Sequence, residues 1–439
     1  MIISNLQLLC LILLIELLLN LWLFKGDLLA PSIIFNFMFL VAGLDLFFMV
    51  DYWKISLDSL TVVVVSTGAF SFIIGAWIIQ KNRLRFVINK PERLVDTYIS
   101  VIVPNGILDF FAIYTVFVII LYNTCRLQMI GGKFSFTNIV LSCISTELIE
   151  EKEMPFVISI CRVFASSLAY IESYLFAINI IGLKQKNVRY IILIALSCLY
   201  FFLCTKRGNL IMYAVSTLYM LVLVTKNSEN IKITRKIYLM ILIAGFLLII
   251  FFPAMGTMFG RTTVVTNPFE YISIYLGAPI LNLDYFLKNN HVKCSIPLEY
   301  TFRSLYDFIY RYTGNKIFNI EEPNIFIYAN SHTTGNVYTT FRDFYHDGNL
   351  LGVILFTLFM AFITQHMYKN IKKNNVTNKI FYYVIYSYIY GLIFRSFFAN
   401  SFYEAIQPSI LEMIVIWMIF DCLLPKLGLK NNAKQNENK

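Results

Sequence analysis

Arginine and histidine are the side chains of this 439-residue chain best suited to chemistry, and they are unevenly spread. One polar stretch, from about Gly256 to Asp347, holds Arg261, Arg303, Arg311 and Arg342, three of the four histidines, and many Tyr, Asn and Thr. Guanidinium groups take phosphate oxygens two at a time. Imidazoles titrate near neutral pH and serve as general bases. His332, His346 and Arg342 lie together in SHTTGNVYTTFRDFYHDGNLLG. There the histidines are the base candidates and Arg342 a candidate to hold a pyrophosphate. Tyr338 and Tyr345 of the same segment can line a sugar cleft. Asp347-Gly348 reads as the start of the next helix, where Asp is favoured. Arg303 and Arg311 are eight residues apart, which places them roughly on one helix face. An amphipathic helix lying on a membrane surface is the plainer explanation of that pair.

Three further arginines stand at apolar boundaries. Arg207 lies in the turn CTKRGNL, Arg261 follows Gly260, and Arg395 precedes Glu404 in a short turn where the two can pair. Each of the first two has two readings, a phosphate clamp or an anchor at headgroup level. Within the apolar segments stand Glu16, Asp45, Arg162, Glu172, Arg395, Glu412 and Asp421. Such charges usually face a bundle interior, as a transport path or as interhelical glue. Arg162 and Glu172 are ten residues apart and do not pair within one straight helix. The tyrosines of YYVIYSYIYG read as an interior aromatic stripe.

The elements that position these residues are apolar runs. The chain is 58% hydrophobic and 14% charged, against roughly 25% charged in soluble domains. That marks an all-α polytopic membrane protein. A span needs about 20 apolar residues, and eleven segments qualify: about 2–24, 28–50, 57–79, 101–125, 155–183, 189–205, 209–225, 237–255, 349–368, 380–398 and 406–424. The first has no basic leader and no small-residue cleavage site, so it reads as a retained helix. Eight cysteines, mostly in apolar runs, form no CxxC or Cys/His cluster, so no metal site is expected. Cys143 and Cys294 fall in the connections expected outside. The chain carries a formal charge of +10. Its basic residues lie in short runs between apolar segments, which is topology signalling rather than nucleic-acid binding.

With eleven spans, Lys25 and the basic runs at 81–93, 184–189, 226–236, 369–379 and 426–439 fall on one side. That side is cytoplasmic, with the N-terminus outside and the C-terminus inside a cell membrane. The expected organisation is spans one to eight over 1–255, a large external region over 256–347, spans nine to eleven over 348–425, and a basic tail over 426–439. A stretch this long between spans is usually functional or disordered, and this one is too aromatic for disorder. It reads as a folded cap over a membrane-embedded site.

The turn CTKRGNL, the segment YISIYLGAPILNLDYFL and above all NVYTTFRDFYHDGNLLGVI resemble the Wzy-type O-antigen or capsular repeat-unit polymerases. Motif-level likeness is confined to about 200–350. The ten residues between Arg303 and Gly314 echo an Arg-to-Gly spacing of some members. His346 stands near the place where related O-antigen ligases carry a histidine. The resemblance implies a GT-C-like bundle and a metal-independent glycosyltransferase without cofactor. Its substrate would be an undecaprenyl-diphosphate-linked oligosaccharide, with a chain-length regulator and a flippase as partners. Arg207, Arg261, Arg303, Arg342 and Arg395 would contact the diphosphate, and His332 or His346 would deprotonate the acceptor hydroxyl. A lipid-linked oligosaccharide flippase or other transporter and a ligase-type glycosyltransferase are the alternatives.

Overall fold

A backbone in hydrocarbon has no water to bond, so a spanning chain closes its hydrogen bonds within helices. The computed structural model describes residues 4–81, 103–129, a few positions between 131 and 142, 154–182, 187–205, 207–227, 268–289, 296–320, 326–372 and 379–436. In chain order its helices are α1 (Asn5–Leu23), α2 (Pro31–Phe48), α3 (Val50–Trp53), α4 (Ser59–Lys81), α5 (Asn105–Met129), α6 (Phe156–Phe176), α7 (Val188–Cys204) and α8 (Arg207–Asn227). There follow α9 (Pro268–Leu276), α10 (Ala278–Asn289), α11 (Arg303–Thr313), α12 (Thr340–Lys372), α13 (Lys379–Phe394), α14 (Ser401–Glu404) and α15 (Pro408–Asn436). The strands β1 (Ile327–Ala329) and β2 (His332–Gly335) pair antiparallel before α12.

Among the described residues, seven helices are long and apolar enough to cross a membrane: α1, α2, α4, α5, α6 with its continuation to Asn179, α12, and α15 as far as Lys426. They answer to seven of the eleven apolar segments. The segments at 189–205 and 209–225 form the shorter apolar helices α7 and α8. The one at 380–398 is helical only to Phe394, and a 3-10 turn takes over at Arg395–Phe397. The segment 237–255, Arg261, Cys143 and Cys294 lie outside the described residues. Within the stretch to Asp347, α9, α10, α11 and the first turns of α12 are helical. The helix expected from the spacing of Arg303 and Arg311 is α11, while α9 and α10 are not legible in the polar, aromatic composition.

The chain divides into two compact units. Unit 1 gathers residues 1–88, 264–373 and 392–408, and unit 2 gathers 89–263, 374–391 and 409–439. In unit 1, α12 lies along α4 in the most extensive helix pair. Small residues let these backbones approach, as in membrane bundles generally. A Cβ on Gly68 would run into the Phe341 ring, and one on Gly75 would meet the Ala361 Cβ at 2.9 Å. At one end of this unit Lys372 and the Tyr368 hydroxyl both reach Asp27, at 2.5 and 2.7 Å, and Lys369 donates to the Ile79 carbonyl at 2.7 Å. The Lys-rich ends of α1, α4 and α12 thus share a side, as their basic runs suggested.

The polar stretch is fastened at the other end. Asp284 of α10 accepts from the Asp58 N–H at 2.7 Å and the Thr61 hydroxyl at 2.6 Å, just where α4 begins. Ser273 of α9 donates to Asp45 at 3.0 Å. Unit 2 is built from α5 to α8 with the tyrosines of α13 and the Trp417 ring of α15. Tyr390 stacks on Tyr219 at 3.7 Å, and Tyr388 meets Tyr170 edge-on at 5.3 Å. The aromatic stripe is core packing.

Gly68→Leu should force α4 off α12 and lower stability by about 1–3 kcal/mol, the usual cost of overpacking. Thermal unfolding of detergent-purified protein, followed by size-exclusion chromatography, checks this. An unchanged midpoint would mean that the two helices do not depend on this approach.

Candidate anion-binding site

Arg303, Arg342 and Arg395 are far apart in sequence, yet unit 1 brings all three within electrostatic reach of one carboxylate, Glu404. Asp343 is the second carboxylate of the group. Each arginine arrives from a different element. Arg303 is the first residue of α11, Arg342 lies in the first turn of α12, and Arg395 opens the 3-10 turn after α13. Glu404 ends α14. With Asp307 beside Arg303, three carboxylates stand among the three guanidinium groups, so the net charge of the cluster depends on the protonation of its carboxylates.

Arg342 is the most tightly held. Its Nε and Nη2 meet Asp343 Oδ1 at 2.8 and 2.7 Å, and its side chain is 13% exposed. The guanidinium lies over the Tyr338 ring at 4.4 Å and near the Tyr300 ring at 5.5 Å. Two aromatic faces and one carboxylate fix its plane. Arg303 is looser, 30% exposed, with Asp307 at 3.9 Å on the next turn. Helix α11 ends at Gly314, which adopts the left-handed conformation (φ 64°) that only glycine takes without cost. The interval between Arg303 and Gly314 is therefore the length of one capped helix. Arg311, in its last turn, sits where a cation suits the helix dipole.

The turn ahead of α11 is held from α12. Asp347 accepts from the backbone N–H groups of Tyr300 and Thr301 at 3.2 and 2.6 Å. This replaces the expected role of Asp347 as a helix start. Helix α12 begins at Thr340, breaks at Gly348 and Asn349, and then resumes. The apolar pattern begins only after the break, so the sequence revealed only the second part. Asn349 holds φ 52°, ψ −147°, a conformation costing a non-glycine residue about 1–3 kcal/mol. At Gly352 a side chain would collide with the Phe344 carbonyl across the break. Asn400 closes the arrangement, donating to the Thr301 carbonyl at 3.2 Å.

The histidines occupy different settings. The His346 side chain is fully enclosed, with Nε2 2.9 Å from Glu299 and the ring stacked on Tyr300 at 3.8 Å. It holds the 299–301 turn. The His332 side chain is 33% exposed, with Nδ1 2.9 Å from Glu270. Its ring packs on Tyr52 at 4.4 Å, and the Tyr52 hydroxyl donates to the other Glu270 oxygen at 3.2 Å. A carboxylate that fixes Nδ1 leaves Nε2 for other partners. Tyr345 is half-buried on α12. Arg207 is the first residue of α8 in unit 2, with its side chain outside the described set, as is Arg261 altogether. Among the described residues no group of three His, Cys, Asp or Glu could hold a metal ion.

Sequence reading missed Asp343 as a member of the cluster, Tyr300 and Glu299 beside it, and Glu270 and Tyr52 as the partners of His332. A carboxylate facing arginines was visible only for Arg395 and Glu404, which are close in sequence.

Burial first, and then the Asp343 carboxylate, push Glu404 above the ordinary carboxylate value, against the pull of Arg395, Arg342 and Arg303. Protonation of Glu404 removes a negative charge from the cluster. Affinity for inorganic pyrophosphate should therefore rise as pH falls through the raised Glu404 value. Glu404→Gln should hold the affinity high across that range, as calorimetric titration would show, and a pH profile identical to wild type would remove Glu404 from the site. Asp347→Ala should cost about 1–3 kcal/mol of stability, since it leaves two backbone donors unpaired. Thermal unfolding measures it, and a midpoint equal to wild type would show that the turn holds itself.

No protein-family model, no curated protein and no solved structure matches the chain.

Proposed function

We propose that this protein is a membrane glycosyltransferase that polymerises undecaprenyl-diphosphate-linked oligosaccharide repeat units on the outer face of the cytoplasmic membrane. The observation that carries this reading is the convergence of Arg303, Arg342 and Arg395 on one cluster beside the Tyr300 and Tyr338 rings. The reaction breaks the bond between the anomeric carbon and the diphosphate oxygen and forms a glycosidic bond to an acceptor hydroxyl. The leaving diphosphate keeps the bonding electron pair, and the acceptor proton passes to a base. Preorganised cations at the leaving oxygens supply the largest share of such catalysis. Arginine suits the task because it stays charged and binds phosphate bidentately. Aromatic faces beside the cations suit sugar rings, so Tyr338 and Tyr345 remain the sugar-lining candidates. Of the two histidines, His332 is the better base, because its ring is accessible and Glu270 sets its tautomer. His346 supports the turn that carries Arg303.

Transport of a lipid-linked oligosaccharide is favoured by one observation. Glu172 is buried within unit 2, with the Ser197 hydroxyl on it at 2.5 Å, and intramembrane acids often mark ion or substrate paths. Cells lacking the protein separate the two readings. Surface glycans one repeat long indicate a lost polymerase, whereas repeat units trapped inside indicate a lost transporter.

In cells carrying Arg342→Ala or Arg303→Ala with Arg395→Ala, at normal membrane levels, the long glycan ladder should collapse to single repeats. Arg342→Lys should restore little of it, since an ammonium cannot bind two oxygens in one plane. A gel profile of lipid-linked and surface glycan reads the outcome, and a full-length ladder from all these variants would sink the assignment.

A further inference from the structure

The spanning part of unit 1 holds a carboxylate that the scheme above does not use. Glu16 stands near the middle of α1, on the buried face that also carries Leu9, Leu13 and Asn20, and is 6% exposed. Its Oε2 is shielded from solvent and takes no hydrogen bond, and no cation among the described residues pairs with it. Asn36 of α2 is fully buried. Its Nδ2 donates to the Ser32 and Ala69 carbonyls at 3.0 and 3.4 Å, while its Oδ1 accepts no hydrogen bond.

Three contacts set these two side chains at one level. Ser32 donates to Asn20 Oδ1 at 3.0 Å across the hairpin of α1 and α2. The two helices run antiparallel, so Asn36, four residues beyond Ser32, lies level with Glu16, four residues before Asn20. At the start of α1, Asn5 donates to the Leu57 carbonyl at 2.8 Å, just before α4 begins. Eleven residues further along the two parallel helices stand Glu16 and Gly68. Gly68 adjoins Ala69, whose carbonyl Asn36 meets. Both routes arrive at the same junction of α1, α2 and α4.

A carboxylate in an apolar bundle is costly unless a positive charge balances it. The three helices supply none at this level. Their other ionisable groups are Cys10 and Asp45, both toward the end where α1 begins, and Lys81 in the last turn of α4. From α12 the Phe341 ring reaches Gly68, and its neighbours Arg342 and Asp343 bond each other. Oxygen acceptors facing one level without a donor are the ligands that a hard cation takes. One carboxylate with a neutral amide oxygen balances a single positive charge, which favours a monovalent ion over a divalent one. We infer that Glu16 and Asn36 form a binding site for a sodium-sized monovalent cation. The inference is independent of the glycan chemistry proposed for the arginine cluster.

The test is thermal unfolding of the full-length protein in detergent, in sodium chloride or in choline chloride of equal ionic strength. An ion that binds the folded state raises the midpoint saturably. Sodium should do so in the wild type, and choline, too large for the site, should not. The half-saturating sodium concentration should rise as pH falls, because protons compete for Glu16. Glu16→Gln should abolish the sodium response. Asn36→Ala should raise the half-saturating concentration about tenfold, the loss of one charge-assisted contact. Each variant is compared with itself in the two salts, so a lower basal stability does not enter. Binding of radioactive sodium to the wild type, by scintillation proximity, gives the same concentration without any variant. A wild-type midpoint equal in the two salts, with no saturable sodium binding, would overturn the inference and leave Glu16 holding a proton. A sodium response that survives Glu16→Gln would overturn it too, by placing the ion elsewhere. Where Glu16→Gln does not fold, Asn36→Ala decides, and an unaltered half-saturating concentration counts against the site.

Discussion

The contact on which the rest of unit 1 depends is that of Asp347 with the backbone of Tyr300 and Thr301. It joins the end of one helical segment to the start of another at the point where α12 breaks. On one side of the break, α12 is an apolar helix packed along α4. On the other side it is a short polar helix that presents Arg342, Asp343 and His346. A straight helix would continue the register of the spanning part through these residues. The break at Gly348 and Asn349 releases them from that register, and Asp347 fixes the new direction by accepting two backbone N–H groups. The strained Asn349 conformation persists because packing on both sides over-determines it.

Around this joint the polar groups are satisfied in layers. Tyr300 is stacked on His346, His346 is bonded to Glu299, and Arg342 is held by Asp343 and two tyrosine rings. Each layer limits the rotamers of the next, which is how a cluster of long arginine side chains is kept in place. Arg303 lies at the edge of this shell, with its side chain 30% exposed.

The two units handle intramembrane polarity differently. In unit 1 charges gather at both ends, Lys372 with Asp27 at one, and at the other Asp45, Asp58 and Asp284, where α9 and α10 are fastened to α2 and α4. In unit 2 polar groups are threaded among tyrosines along the helices, with Glu172 on Ser197 and Ser173 on Thr217 and Tyr213. Hydroxyl-to-hydroxyl bonds of this kind hold membrane helices together at modest energy, about 1 kcal/mol each.

How much of this was legible in advance follows from the range of the forces involved. Spanning helices depend on composition over about 20 consecutive residues, so α1, α2, α4, α5, α6, α12 and α15 could be read from the chain alone. Within the polar stretch, α11 was legible from the spacing of Arg303 and Arg311, whereas α9 and α10 were not read as helices. The arginines were identified by type and boundary position, but nothing in the sequence sorted Arg303, Arg342 and Arg395 from Arg207, or paired His332 with Glu270 and His346 with Glu299. Those pairings join residues about 50 to 60 positions apart. They depend on where helices break and dock, which is set by packing across the unit. The sequence by itself determined a helical, membrane-spanning chain with one long polar stretch rich in arginine, histidine and tyrosine. Only the tertiary structure decided which charges meet, because electrostatic partnership is a matter of a few ångströms in space and not of distance along the chain.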